Sequence, residues 1–161
     1  MDLADETVPL VRAALRELLA EHEPGELVGV SCIAAEADSL FAEAVLERGR
    51  RLVVTPSRDY RDRKVKPQHA DQYDRLVQAA AEVIVMPFDT AGREAYEAAG
   101  KEFPRRTDRF VALWDGVPTQ PGGQGGTAAA EARATGLDVH VIRPLGSHPR
   151  LTEAGVVVPP V

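Results

Sequence analysis

The sequence predicts a single α/β domain built on a mainly parallel five-stranded sheet with helices on both faces. Three features lead there. Short apolar runs of strand length alternate with helical segments of about 10 residues, the pattern of parallel strands joined by crossover helices. The runs Leu27–Ile33 and Phe110–Trp114 are almost continuously apolar, as strands covered on both faces must be. The chain's 161 residues, 44% hydrophobic and 27% charged, suit one globular domain with a sizeable core.

Each element has its own signal. Thr7 can cap a first helix that carries Pro9 in its first turn. Leu10, Val11, Ala14, Leu15, Leu18 and Leu19 then recur at helical spacing, and Glu23-Pro24-Gly25 ends the run. Leu27–Ile33 is the first strand. Asp38, read as an N-cap, and Ser39 open a second helix, which turns Leu40, Phe41, Ala44 and Val45 inward and closes at Gly49. Arg51–Thr55 is the second strand, stopped by Pro56. Residues 57–68 are dense in charge and read as a long loop or a helix start. Ala70–Ala81 is a third helix through Tyr73, Leu76, Val77 and Ala80, and Val83–Met86 a third strand. Ala91–Phe103 is a fourth helix bounded by Pro104, and Phe110–Trp114 the fourth strand. Thr127–Thr135 is the fifth helix and Val139–Ile142 the fifth strand. Residues 1–145 thus make the domain. Residues 146–161 form a tail rich in Pro and Gly, in which Val156–Val158 either adds an edge strand or stays loose.

Composition excludes several classes. The net charge of −6 disfavours nucleic-acid binding, which draws on a basic excess. The single cysteine, Cys32, rules out a disulfide framework or a cysteine zinc site within one chain. It sits in a strand-like run and reads as a small buried residue. Histidines 22, 69, 140 and 148 lack ligand spacing, so no metal or other cofactor is expected. Neither a Gly-x-Ser-x-Gly elbow nor a P-loop ending occurs. No apolar run reaches membrane length, and the acidic start, Met1-Asp-Leu-Ala-Asp-Glu6, is unlike a signal peptide. A cytoplasmic protein without membrane contact is expected.

The chemistry-bearing stretch follows the fourth strand. Gly122, Gly123, Gly125 and Gly126 are four glycines within five residues, and Thr127 can cap the Ala-rich helix beyond them. A glycine loop feeding a helix N-terminus offers free backbone N–H groups and the positive end of the helix dipole, an arrangement suited to phosphate. In open parallel sheets ligands sit beyond the carboxyl ends of the strands. Asp115 lies at such an end, where it would hold a ribose hydroxyl or a base edge, or simply form an Asp-Gly turn.

Pro121-Gly-Gly-Gln-Gly-Gly-Thr127 with Glu131 resembles the Pro-Gly-Gly-x-Gly-Thr-x-x-Glu signature of the Lonely-guy phosphoribohydrolases. Their wider group is the SMF/DprA–Lonely-guy, or SLOG, superfamily of Rossmann-like nucleotide-binding domains. Ser31-Cys-Ile-Ala-Ala-Glu-Ala-Asp38-Ser-Leu-Phe-Ala42 and Phe110-Val-Ala-Leu-Trp-Asp115-Gly look closest to its YpsA-related branch. The resemblance spans roughly residues 27–144. It implies a nucleotide or nucleotide-derived ligand whose phosphate lies on Gly122–Thr127.

The resemblance also implies an alternative, hydrolysis of a nucleoside monophosphate at its N-glycosidic bond. Glu131 or Glu36 would then stabilise the ribosyl cation and Arg93 would hold phosphate. Glu131 lies four positions beyond Thr127 rather than three, a rotation of about 100° on a helix. Arg93 is followed by Glu94 where those enzymes carry Lys. Arg58–Lys66 is either a phosphate clamp, with Tyr60 stacking on a base, or a solvated charged loop. A third reading is a non-catalytic homodimeric subunit paired through its helices. Members of the superfamily generally begin with a strand that lies at the centre of the sheet. Here Met1-Asp-Leu3 precedes the first helix almost directly, so either the chain starts late relative to that form or another element takes the place.

Overall fold

A computed structural model describes residues 6–23, 27–34, 37–56, 61, 65–86, 109–113, 132–134 and 136–143, and the backbone of 155–158. Helix α1 (Val8–Ala20) buries Val11, Leu15, Leu18 and Leu19, the stripe that the helical spacing predicts. Leu10, expected on that stripe, is 47% exposed. The Thr7 side chain makes no capping hydrogen bond; its backbone carbonyl accepts from the Val11 N–H instead.

Helix α2 (Ala37–Glu47) lies between its neighbours, and eight of its eleven residues are buried. Gly49 terminates it at φ +64, a left-handed conformation that costs glycine little. The Gly49 and Arg50 N–H groups donate to Leu46 and Val45 carbonyls there. Helix α3 (Pro67–Ala79) starts three residues earlier than its apolar pattern predicts. Pro67 sits in the first turn, where its missing N–H costs nothing.

The sheet has six strands in the order β3-β2-β1-β6-β4-β5. They are β1 (Val28–Ser31), β2 (Arg51–Val54), β3 (Glu82–Val83), β4 (Arg109–Leu113), β5 (Asp138–Ile142) and β6 (Gly155–Val158). β1, β2 and β3 form one parallel group and β4 and β5 another. β6 is antiparallel to both β1 and β4, with Val157 opposite Val30 on one side and Phe110 on the other. Since β6 opposes both, β1 and β4 run the same way, and β1 to β5 share one carboxyl edge.

Short parallel strands lie at four of the expected positions, the third strand is only Glu82–Val83 where Val83–Met86 was expected, and the sixth makes the sheet mixed rather than mainly parallel. The tail run around Val156–Val158, expected at an edge or loose, lies in the middle. Its physical role there is to pair the inner edges of β1 and β4, whose backbone groups need partners. Valine-rich sequence suits that central place.

The two faces of the sheet are covered differently. Val111 and Leu113 of β4 join Leu52, Val54 and the buried faces of α1, α2 and α3 in the larger core. Phe110 and Ala112 turn to the opposite face, where Ala132 from the helical residues 132–134 packs on them. Both faces therefore carry helical residues. Among the described residues no helix is long and apolar enough to cross a membrane.

Candidate functional site

The expected phosphate loop and its side chains, Asp115, Gly122, Gly123, Gly125, Gly126, Thr127 and Glu131, lie outside the described residues, as do Arg93, Glu36 and Tyr60. The strand that leads to the loop is described as far as Leu113, on the carboxyl edge of the sheet. Of the charged run, Arg61 forms a two-pronged pair with Asp74 of α3, at 2.6 and 2.7 Å. That pairing holds the Asp74 carboxyl below its ordinary range.

At the same edge, the turn from β1 into α2 builds a buried polar cluster. Ser31 ends β1, and its Oγ accepts from the Ile33 N–H at 3.0 Å and donates to the Asp38 carbonyl at 3.3 Å. This clasp bends the chain so that Ile33 adopts φ +46. A β-branched residue in that region carries strain on the order of 1–3 kcal/mol, and β1 ends two residues short of its predicted limit. Ser39 secures the other side of the turn by donating to the Ala34 carbonyl at 2.9 Å.

Asp38, expected as an N-cap, sits within the first turn of α2 and is 2% exposed. Its Oδ2 accepts from the Ala34 N–H at 3.2 Å and from the Cys32 thiol at 2.6 Å. Its Oδ1 is buried and has no partner among the described residues. The helix N-terminus favours its charge, yet burial outweighs that and pushes its pKa up to about 6. Burial, reinforced by the neighbouring Asp38 carboxylate, raises the Cys32 thiol well above its ordinary value. Cys32 is therefore a neutral donor, not a thiolate nucleophile.

A relay reaches this turn from α1. Arg12 donates to Glu43 Oε2 at 2.5 Å, and Gln72 Nε2 donates to Glu43 Oε1 at 2.7 Å. The Gln72 amide is thereby oriented with its oxygen toward His69 Nδ1, 3.0 Å away. Nδ1 must then be the donor in that contact. His69 Nε2 faces the Ile33 carbonyl at 3.4 Å and Ser39 Oγ at 3.5 Å. Four elements thus converge on the strained residue.

The cluster is rich in acceptors: the Asp38 carboxylate and the Ile33 and Ala34 carbonyls. It suits hydrogen-bond donors and repels anions, so it is not itself a phosphate site. Sequence reading missed it because His69 looked isolated. Its signal was weak, a His and a Gln three apart on one helix face, and its partners lie about 30 residues away.

The buried carboxylate makes stability depend on pH in an unusual direction. Asp38 holds its proton more tightly folded, at about 6, than at its ordinary value of 3.8. The folded state thus binds more protons between those values, and this contribution to stability is complete below pH ~4 and lost as pH rises through 6. Ionised, the buried group costs about 3 kcal/mol. Asp38→Asn should gain on the native protein by up to that amount between pH 4 and 7, measured by urea unfolding of both chains. A stability difference that does not vary with pH would contradict this account.

Comparison with known protein families and with curated proteins returns no match for this chain.

Proposed function

We propose that this protein binds a nucleotide or nucleotide-derived small molecule in a Rossmann-like domain of SLOG type, with the phosphate on the loop Gly122–Thr127. The supporting observation is the common direction of β1 to β5. Through it, the end of β4, which leads into the glycine loop, shares an edge with the donor-seeking cluster at the end of β1. Parallel α/β sheets bind ligands on this edge. A phosphate-binding loop after β4, together with the acceptor cluster, would suit a ligand that carries a phosphate at one end and hydroxyl or amino groups at the other.

The chain should show a thermal shift with one or more nucleoside monophosphates and release no free base on prolonged incubation. Free base would instead establish N-glycosidic hydrolysis, with Glu131, Glu36 and Arg93 as the residues to substitute. A stable dimer with no shift for any nucleotide would favour the structural-subunit reading. The helical faces are the surfaces on which a homodimer would form.

A further inference from the structure

We infer that the Asp38 carboxylate, with the Cys32 thiol as its resident donor, is a subsite for the vicinal hydroxyls of the ligand's sugar. This rests on the nucleotide reading of the glycine loop and adds a second, chemically opposite contact to it. Asp38 Oδ1 is a buried carboxylate oxygen with no partner among the described residues. Buried acceptors in native proteins are nearly always paired, so an orphan calls for a use. Oδ2 is held by the Ala34 N–H and by a thiol, which is a weak donor.

The surroundings define what could replace that thiol. The Ile33 and Ala34 carbonyls, like the carboxylate, only accept. A phosphate is repelled, whereas a hydroxyl supplies a stronger donor than S–H and brings no charge. Two adjacent hydroxyls match the two oxygens of one carboxylate. Exchange begins at Cys32, which is partly exposed while Asp38 is sealed. The strained Ile33 turn is fixed by Ser31 and Ser39, so the carboxylate is held in place before a ligand arrives. β1 and β4 are separated by β6 alone, so their carboxyl ends lie roughly 10 Å apart on one edge of the sheet.

The test is equilibrium binding to the full chain of the common nucleoside 5′-monophosphates, their 2′,3′-dideoxy counterparts, inorganic phosphate and free D-ribose. The ribonucleotides should bind about tenfold or more tightly than the dideoxy forms, as for hydrogen bonds to a charged group. Asp38→Asn should shrink that gap to less than about threefold and leave inorganic phosphate affinity unchanged. Cys32→Ser, which installs a stronger competing donor, should weaken ribonucleotides several-fold and leave the dideoxy forms unaffected. Equal affinity for both sugars in the native chain, or a gap that survives Asp38→Asn, overturns the subsite and leaves the phosphate loop standing. Ribose binding that Asp38→Asn abolishes, with no phosphate compound bound, keeps the subsite and removes the loop reading. Binding of none of these probes overturns both.

Discussion

A chain ending at residue 154 should lose its sharp thermal transition, or melt at least ~10 °C lower, and self-associate. Among the described residues β6 is the one strand that joins the β3-β2-β1 group to the β4-β5 group. It pairs with Arg109, Phe110, Val111 and Ala112 of β4 and with Val30 of β1. Its removal bares two strand edges in the middle of the sheet. Such edges cost stability and recruit other chains. A domain of this size loses roughly 2–4 °C for each kcal/mol, so the loss of about 4 kcal/mol of pairing and cover suffices for the predicted drop. Differential scanning calorimetry and light scattering measure both effects. A peptide spanning residues 153–161, added in trans, should restore part of the transition. A truncated monomer that melts with the full chain would mean that β6 contributes no stability.

The second large effect is expected at Gly29, in the middle of β1. A Cβ built there would lie 2.6 Å from Val45 Cγ2, 3.0 Å from Val45 Cγ1 and 3.1 Å from Phe41 Cε1. Glycine is what lets α2 pack this close to the sheet. Val45 and Phe41 are both fully buried, and a valine has little rotamer freedom with which to retreat. Gly29→Ala should therefore cost on the order of 1–3 kcal/mol, and Gly29→Val more. Val45→Ala alone should also destabilise, by removing buried methyl groups. Combined with Gly29→Ala it should cost clearly less than the two single losses added, because the cavity receives the new methyl. Urea unfolding of the four chains gives the coupling directly. Strict additivity would show that the contact does not limit packing.

Among the described residues the sequence made α1 and α2 legible, where periodicity and punctuation agree, while the expected fourth helix, 91–103, lies outside the described residues. Val11, Leu15, Leu18 and Leu19 form the buried stripe of α1, and Gly49 closes α2 as its position implies. Strand positions were legible to within a few residues, because apolar runs between turn signals are local features. The place of β6 was not. A valine run has the same local character at an edge as in the centre, and only the unpaired inner edges of β1 and β4 distinguish the two. In the structure the tail strand lies between β1 and β4.

The site was legible in a different measure. The glycine loop and Asp115, Glu131, Arg93 and Glu36 are expectations from sequence motifs, and they lie outside the described residues. The acceptor cluster was hardly readable at all. Asp38 looked like an ordinary helix start, because a capping aspartate and a buried one share the same sequence context. His69 reaches the Ile33 carbonyl across 36 positions, a relation that periodicity cannot carry. Its orientation depends on Arg12, Glu43 and Gln72, each from a different place in the chain.

The most direct measurement is a calorimetric titration of the full chain, and of Gly125→Asp, with the nucleoside 5′-monophosphates. A carboxylate placed in the loop would repel phosphate. Saturable one-to-one binding of at least one nucleotide to the native chain, lost or weakened more than about tenfold in Gly125→Asp, is the expected result. No saturable binding to the native chain, or equal binding to both chains, would contradict the assignment of a nucleotide site to this loop.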